Sequence, residues 1–406
     1  MTTTRSTAAE FIRLEDAYGA SNYHPLDVVV QRAEGVWVWD VDGNKYLDFL
    51  AAYSAVNQGH AHPRIAGALK AQAERVTLTS RAFRNDQLGP FYEEVHKLTG
   101  YARMLPMNTG AEAVETAIKA ARKWGYKVKG VPDGKAEILV FTGNFHGRTT
   151  TIVGFSDDDQ YKDGFGPFTP GFTLLPYGDL EAVRRAMSPN VVGILVEPIQ
   201  GESGIIIPPE GFMAGLAALC REHRSLLITD EIQSGLGRTG RMFAFEHDGV
   251  RPDIVIIGKA LAGGFYPVSA ILADDEVMGV FNPGDHGSTF GGNPLGCAVA
   301  REALRVLVDE KMIENSAHLG EYFMGKLRTL SSTKIQEIRG RGLWIGLQLT
   351  PQAGGARKYC EALQAKGLLC KETHVDTIRF APPLCITREE LDWAFERVEQ
   401  VFKEMD

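Results

Sequence analysis

The chain has 406 residues and a formal net charge of −8, with 43 lysines and arginines against 51 aspartates and glutamates. A composition of 44% hydrophobic and 23% charged residues excludes a disordered or fibrous chain and predicts two or three domains, at roughly 150 residues each. The acidic balance argues against a nucleic-acid partner, and no apolar run approaches the roughly 20 residues that cross a membrane.

The first 60 residues read as β-structure. Strands are predicted at residues 28–30, 36–40 and 45–50, and Asp42-Gly43 supplies positive-φ positions for a tight hairpin turn. Beyond Pro63 the pattern changes to apolar residues spaced i, i+3 and i+4, which predicts helices. These helices cover residues 64–75, 87–98 and 111–127.

The middle of the chain alternates short apolar runs with helical segments. The predicted strands are residues 137–141, 191–197, 226–230 and 254–258, with helices at 179–187 and 211–223. Near-continuous apolar strands joined by helices predict an α/β fold with a mostly parallel sheet that is covered on both faces. A ligand site in such a fold lies beyond the carboxyl ends of the strands.

The last third returns to a mixed pattern. A long helix is predicted at residues 295–311, strands at 343–349 and 377–380, and helices at 355–366 and 388–403. We therefore predict a large central domain at residues 61–292, flanked by a small domain built from residues 1–60 and 293–406.

Two strand ends carry residues that the fold alone does not need. Asp230 ends the run 226–230, and Lys259 follows the run 254–258, 29 residues further on. Each alone has an ordinary explanation, a helix cap for Asp230 and a surface-reaching side chain for Lys259. Their spacing of one structural unit predicts a working pair at the same sheet edge.

A second group of residues predicts an anion site and an aromatic surface nearby. Thr109 and Gly110 stand before a long helix, whose N-terminus favours phosphate, although an ordinary helix cap is an equally common role for Thr109. Phe145, His146 and Arg148 follow the strand 137–141. A lysine, a carboxylate, an aromatic ring and a phosphate site together predict pyridoxal 5'-phosphate as the cofactor.

Two other motifs are typical of a dinucleotide site and of a metal site, but the residues around each argue against both. Residues 235–240 match the G-x-G-x-x-G of dinucleotide-binding proteins, but the first glycine lies five residues past the strand and no helix is predicted after it. His60 and His62 form an H-x-H pair without an evident third metal ligand. Five scattered cysteines without a C-x-x-C predict neither a zinc ribbon nor a disulfide framework.

The combined motifs resemble the class III, pyridoxal-phosphate-dependent aminotransferases. The matching strings are residues 108–113, 197–202, 230–233 and 258–264, and the similarity runs from about Tyr23 to about Phe402. The resemblance implies an aspartate-aminotransferase-like fold of type I, with a large mostly parallel-sheet domain and a small α+β domain. It also implies a homodimer or higher homo-oligomer.

The resemblance implies a role for each cofactor residue. Lys259 would be the Schiff-base lysine and the proton shuttle, and Asp230 would pair with the pyridine nitrogen. Gln233 would contact the ring hydroxyl, and Phe145 would stack on the ring, with His146 beside it. The phosphate would be held by Thr109, Gly110 and Ala111, joined by Thr289 of the neighbouring subunit.

Within the family, residues 22–25, 53–60 and 373–383 are most similar to members that move the δ-amino group of ornithine to 2-oxoglutarate. Tyr23 and Arg148 would then bind the donor's α-amino and α-carboxylate groups, and Tyr53 would line the pocket. Glu202 would mask Arg379 in the donor step and release it to bind 2-oxoglutarate. Donors such as N-acetylornithine or 4-aminobutyrate remain alternatives, as do a catalytically silent relative that only binds ligands and, more weakly, a nicotinamide oxidoreductase.

Three further expectations complete the interpretation. An Arg–Glu gate costs little free energy if both groups stay partly solvated. Ser203 follows the gate glutamate where relatives often carry alanine, so it could tune donor preference. A cytoplasmic location is expected, because acidic residues soon follow the Ser/Thr-rich start, although a removed targeting segment stays an open alternative.

Overall fold

Helices and strands alternate along residues 7–405, the part of the chain that this computed structural model describes. The helices are α1 (Ala8–Tyr18), α2 (Ala51–Ser54), α3 (Pro63–Ala73), α4 (Leu88–Thr99), α5 (Gly110–Trp124), α6 (Thr150–Gly154), α7 (Asp159–Lys162), α8 (Leu180–Ala186), α9 (Phe212–Glu222), α10 (Asp275–Met278), α11 (Pro294–Asp309), α12 (Met312–Leu327), α13 (Arg357–Ala365) and α14 (Arg388–Met405). The strands are β1 (Val30–Glu34), β2 (Trp37–Asp40), β3 (Lys45–Asp48), β4 (Arg103–Met107), β5 (Glu137–Phe141), β6 (Phe172–Leu175), β7 (Val191–Val196), β8 (Leu226–Asp230), β9 (Ile254–Ile257), β10 (Ser269–Ala273), β11 (Ile335–Arg341), β12 (Trp344–Leu349), β13 (Leu368–Leu369), β14 (Lys371–Thr373) and β15 (Thr377–Phe380).

A seven-stranded sheet organises the middle of the chain, in the order β4-β10-β9-β8-β7-β5-β6. Its strands pair in parallel from β9 to β6, and β10 alone runs antiparallel to both its neighbours. Every residue of β7, β8 and β9 is buried, as a sheet covered on both faces requires. The predicted α/β fold with a mostly parallel sheet is confirmed.

Alternate residues of each strand pack on opposite faces of this sheet. Ile138 and Val140 of β5 join the cluster that contains α5, whereas Leu139 and Phe141 join the cluster that contains α9. Helices therefore cover the two faces and leave the carboxyl edge of the strands accessible. The loops after β5, β7, β8 and β9 meet at that edge.

Two four-stranded sheets flank the large one, in the orders β1-β2-β3-β13 and β11-β12-β15-β14. In the first, Leu368 of β13 pairs in parallel with Leu47 of β3, so the two ends of the chain share one sheet. This pairing agrees with a small domain assembled from both ends. The boundaries at residues 60 and 292 remain a prediction.

Local differences from the sequence analysis have identifiable causes. The strand predicted at residues 28–30 begins only at Val30 and continues to Glu34. In the hairpin turn only Gly43 has positive φ (+92°), because the Asp40 carboxylate accepts the backbone N–H groups of Asp42 (3.0 Å) and Asn44 (2.8 Å) and so shapes the turn. Helix α5 ends at Trp124 and continues as a π-helical turn, Gly125–Lys129.

Candidate active site

A cavity of about 200 Å³ lies at the carboxyl edge of the large sheet. It is lined by the start of α5 and by the loops that follow β5, β7, β8 and β9. The lining residues are Gly110, Ala111, Phe145, His146, Gly147, Glu197, Ile199, Asp230, Ile232, Gln233, Ser234 and Lys259. Seven of the nine residues predicted to bind a cofactor are therefore brought together, and Thr109 and Thr289 are not among them.

Lys259 stands at the end of β9 in a conformation that is uncommon for a residue with a side chain. Its φ is +46°, and a short 3₁₀ turn, Lys259–Ala262, begins there. Burial lowers the pKa of its ammonium group, against the carboxylates of Glu202 and Asp230, which favour the charged form. A lowered pKa favours the neutral amine, which is the reactive form of a lysine.

Asp230 is the last residue of β8 and is buried. Its Oδ2 accepts a hydrogen bond from Nδ1 of His146 at 2.7 Å, and its Oδ1 accepts the N–H of Ile232 at 3.0 Å. Burial alone would lower the pKa of His146, but the hydrogen bond and charge of Asp230 outweigh it and raise that pKa. The carboxylate is therefore held by two donors at the cavity wall.

At the N-terminus of α5, the residues predicted to bind phosphate have two different roles. Thr109 caps the helix: its Oγ1 accepts the Glu112 N–H at 3.3 Å, and the Glu112 carboxylate accepts the Thr109 N–H at 2.8 Å. The ordinary capping role therefore accounts for the side chain of Thr109. Gly110 and Ala111 are the first helical residues, whose N–H groups have no acceptor within the helix, and both line the cavity.

Glu197 is a lining residue to which the sequence analysis gave no role. It follows β7 directly, and its Oε2 accepts the backbone N–H of Phe145 at 3.0 Å, which orients the aromatic residue. Burial raises the pKa of Glu197 to about 8. Its position at the carboxyl end of a buried strand, like that of Asp230, was the signal that could have identified it.

The lining fits a planar anionic cofactor by its donor set. Two side-chain atoms at this wall are buried without a protein partner among residues 7–405, Nε2 of His146 and Oε1 of Gln233. Gly110 has no side chain, and a Cβ at this position would lie 3.0 Å from Ile232. The backbone N–H groups at the helix start are therefore not covered by a side chain of their own at Gly110. An amine, an anion, an aromatic ring and free helix N–H groups suit pyridoxal phosphate.

Glu202 and Arg379 form an ion pair next to this cavity. Nη1 of Arg379, on β15, lies 3.1 Å from Oε1 of Glu202, and the same oxygen accepts a hydrogen bond from Nε2 of Gln233 at 2.9 Å. Burial opposes ionisation of Glu202, but Arg379 and Gln233 outweigh it, and the pKa of Glu202 is about 2. The condition that both groups stay partly solvated is not met by Arg379, whose side chain is 1% exposed against 28% for Glu202.

A second cavity of about 520 Å³ adjoins the ion pair. Tyr53 enters it from α2, which is a left-handed turn whose four residues all have positive φ, and its ring lies 5.1 Å from the Arg379 guanidinium. The lining residues are Tyr53, Gly143, Asn144, Phe145, Asp157, Asp158, Asp159, Tyr161, Glu202, Ser203, Lys371, Glu372, Thr373 and His374. Tyr161 was missed because nothing in its sequence context marks it.

Five predicted site residues line neither cavity in this single chain: Thr109 and Arg379, described above, and Tyr23, Thr289 and Arg148. Tyr23 is 77% exposed and Thr289 is exposed. Arg148 is exposed too, but its guanidinium carbon lies 4.2 Å from the centre of the Tyr161 ring, beside the second cavity. The Ser203 hydroxyl, also noted from the sequence, donates to the carbonyl of Gly143.

The two motifs that were set aside have structural roles. Residues 235–240 form an irregular loop, in which the buried guanidinium of Arg238 donates to the carbonyls of Leu343 (2.9 Å) and Pro382 (2.7 Å). The glycines are followed by a short 3₁₀ turn, Ala244–Asp248, and not by an α-helix that starts at the loop, so the dinucleotide-binding context is missing. His60 contacts Asp48 at 2.7 Å, whereas His62 contacts Glu310 at 3.1 Å. Among the described helices, none is long and apolar enough to span a membrane.

Comparison with known proteins now decides the family. The model of the family Aminotransferase class-III matches residues 18–402. The chain belongs to the class-III aminotransferase family. It is 59% identical to the ornithine aminotransferase of Bacillus subtilis over 401 residues, which cover 99% of each chain.

Solved structures of class-III aminotransferases superpose closely on this one. The ornithine aminotransferase of Toxoplasma gondii, described with PLP at its active site, matches with a TM-score of 0.97 and 46% identity over 99% of this chain and 95% of its own. An acetylornithine aminotransferase from Elizabethkingia anophelis matches with a TM-score of 0.90 and 46% identity, over 98% and 100%. The predicted resemblance, fold and enzyme class are confirmed, and the expected cofactor, pyridoxal phosphate, is that of a class-III aminotransferase.

Proposed function

We propose that this enzyme transfers the δ-amino group of L-ornithine to 2-oxoglutarate, giving glutamate 5-semialdehyde and L-glutamate. The ion pair between Glu202 and Arg379 supports this reaction most directly. One site must accept a cationic diamine first and a dicarboxylate second, so a cation must be covered in one step and available in the next. The curated relatives at 59–60% identity over nearly the whole chain carry the same substrate name.

In this proposal the cofactor is held by residues of the first cavity. The N–H groups of Gly110 and Ala111 bind the phosphate, Phe145 lies against the ring, and Asp230 pairs with the ring nitrogen. Gln233 would contact the ring hydroxyl, while the His146 hydrogen bond holds the Asp230 carboxylate in place. When bound, pyridoxal phosphate supplies an electron-withdrawing ring that stabilises negative charge on the substrate carbon.

Lys259 is the catalytic base in the proposed reaction. Its Nζ would take a proton from the substrate carbon that bears the reacting amine and deliver it to the carbon on the cofactor side of that nitrogen. Burial favours the neutral amine that this transfer requires, because desolvation disfavours the ammonium form.

The second cavity is the proposed binding site for the rest of each substrate. Arg148 and Tyr23 bind the α-carboxylate and α-amino groups of ornithine, and Tyr53 lines the pocket. Glu202 covers Arg379 during this step. When 2-oxoglutarate enters, Arg379 turns from Glu202 to the α-carboxylate, which a guanidinium binds through two parallel hydrogen bonds.

A homodimer is part of the proposal, because Thr289 is assigned to the phosphate of the neighbouring subunit and is exposed in the single chain. Light scattering of the purified holoenzyme should give at least twice the monomer mass. Replacing Thr289 with alanine should weaken cofactor binding without changing that mass. A monomeric holoenzyme with full activity would contradict this part of the proposal. The cytoplasmic location stays a prediction.

The donor is tested with a panel of ornithine, N-acetylornithine and 4-aminobutyrate, each with 2-oxoglutarate as acceptor. N-acetylornithine is the second candidate, because the acetylornithine enzyme from Elizabethkingia anophelis also matches at 46% identity. We expect the largest kcat/KM with ornithine. Faster turnover of either competitor would reject ornithine as the preferred donor while leaving the transaminase assignment intact.

A further inference from the structure

Arg148 is a cation without a carboxylate partner. Its guanidinium carbon lies 4.2 Å from the centre of the Tyr161 ring and 5.7 Å from that of Phe145. Within residues 7–405, no aspartate or glutamate oxygen lies within ion-pair distance of its side chain. The contact with Tyr161 is thus its main attachment to the protein.

Three acidic residues close to Tyr161 in the chain have partners other than Arg148. Asp157 accepts the backbone N–H of Gly143 at 2.8 Å, and Asp158 accepts that of Gln160 at 2.9 Å at the start of α7. Asp159 lies 3.5 Å from the ammonium of Lys162. These contacts occupy three carboxylates that could otherwise neutralise Arg148.

Tyr161 contacts both Phe145, which lines both cavities, and the guanidinium of Arg148. It lies on α7 and lines the second cavity, and its ring meets Phe145 edge-on, with centres 6.2 Å apart and planes at 76°. Burial raises the pKa of the Tyr161 phenol and outweighs the charge and hydrogen bond of Arg148, which lower it, so the ring carries no charge at neutral pH. The side chain touches Arg148 with a face that is negative in potential but has no net charge.

An aromatic face and a carboxylate hold a guanidinium in different ways. A carboxylate neutralises the cation and competes with an incoming carboxylate for the same N–H groups. A ring face attracts the cation from one side and leaves the N–H groups at its edge available. The ring therefore fixes the position of an arginine while preserving its ability to bind an anion.

We propose that Tyr161 is a positioning residue for donor specificity, which holds Arg148 in place, un-neutralised, for the α-carboxylate of the amino donor. This inference rests on the proposed function, in which Arg148 binds that group. Tyr161 itself contacts no substrate atom in the proposal. Its effect is confined to donors that carry a carboxylate for Arg148.

The test compares ornithine with 1,4-diaminobutane, the same diamine without the carboxylate, in single-turnover reactions of the holoenzyme followed by cofactor absorbance. Tyr161→Leu should lower kcat/KM for ornithine by roughly 3- to 30-fold, chiefly through KM, the range expected for loss of a cation–π contact. The loss with 1,4-diaminobutane should be clearly smaller, because this donor has no carboxylate for Arg148. Tyr161→Phe, which keeps the ring, should stay close to wild type with both donors.

A second arm separates this role from a merely structural one. In an Arg148→Gln background, Tyr161→Leu should cause no further loss with ornithine, because the residue it positions is gone. Equal losses with both donors, together with weaker cofactor binding, would mean that Tyr161 acts through Phe145 and would overturn the inference. Tyr161→Met replaces the leucine variant if the latter does not bind cofactor.

Failure of the proposed function is distinguishable from failure of the inference. A wild-type enzyme that ignores ornithine but uses N-acetylornithine rejects the proposed donor. The inference is then tested with N-acetylornithine and N-acetyl-1,4-diaminobutane, which again differ only in the carboxylate. For either pair of donors, the inference is overturned if Tyr161→Leu leaves the ratio of kcat/KM between the two donors unchanged.

Discussion

Two arginines beside the same cavity are held in opposite ways. Arg379 is buried and lies 3.1 Å from the Glu202 carboxylate, whereas Arg148 is exposed and rests on the face of Tyr161. The first is neutralised by the protein and the second keeps its charge. A buried guanidinium without a counter-charge would be costly, while an exposed one is stabilised by water.

The difference shows how one functional group serves two purposes. At Arg379, the carboxylate makes the cation unavailable until a stronger competitor arrives, which suits a site that alternates between substrates. At Arg148, the aromatic face leaves the charge available to every carboxylate. The choice of partner, rather than the arginine itself, sets the role.

The largest effect is expected when Lys259 is replaced, because the substrates bound by both arginines react at this lysine. Lys259→Ala should lower the rate of both half-reactions by at least about 10⁴-fold, because nucleophile and proton shuttle are lost together. The visible absorbance of the lysine-bound cofactor should disappear at the same time. A variant that keeps this absorbance through a different lysine would overturn the assignment of the site.

Removing the mask from Arg379 should change donor choice strongly. In Glu202→Ala, the ratio of kcat/KM for an α-amino donor such as glutamate over that for ornithine should rise by about 10- to 100-fold, equivalent to one hydrogen bond between charged groups. Glu372→Ala is the matched control, since Glu372 lines the same cavity but pairs with Lys371 and Arg357. An unchanged ratio in Glu202→Ala would reject the gate.

Two carboxyl groups near the cofactor cavity respond to pH in opposite directions. The pKa of Glu202, about 2, lies below its usual value of 4.5, so its contribution to stability persists above pH 4.5 and is lost only as the pH falls through about 2. The pKa of Glu197, about 8, is raised from 4.5 by burial. Its contribution is complete below pH 4.5 and is lost as the pH rises through about 8.

The measurement compares the Tm of the holoenzyme at pH 5.5 and 8.5. Glu197→Gln should reduce the loss of Tm over this interval by about 2–4 °C, because the amide has no proton to lose. Glu74→Gln, at an exposed position, is the control and should leave the loss unchanged. An identical decline in Glu197→Gln and wild type would mean that Glu197 is ionised at neutral pH.

The smallest effect concerns the backbone next to the gate. Ser203→Ala removes the hydroxyl that donates to the Gly143 carbonyl and should change the ratio of α-amino donor to ornithine turnover by about 2- to 10-fold, as expected for one neutral hydrogen bond. Steady-state assays with both donors measure this ratio. A shift as large as that of Glu202→Ala would mean that Ser203, rather than Glu202, controls the gate.

The sequence supported correct expectations where the signal is local. Apolar runs predicted β5, β7, β8 and β9, and the residues at their ends predicted the cofactor cavity. Strands β4 and β10 were missed, since β4 contains Arg103 and Pro106 and its edge position is fixed only by pairing with β10. The sequence could not separate the two roles of Thr109, because a helix cap and an anion site share the same residue types, and its predicted contact with the phosphate stays a prediction.

By itself, the sequence determined which types of catalytic residue the site contains. A nucleophilic lysine, a strand-end aspartate and a glycine at a helix start can each be recognised from the strand or helix next to it. Only the tertiary structure decided which charges meet. Glu202 and Arg379 are 177 residues apart and come together because β15 lies beside the loop after β7. Tyr161 contacts Arg148 because α7 lies next to the loop that carries Phe145 and Arg148. Long-range pairing depends on how elements pack, and no local pattern of residues encodes it.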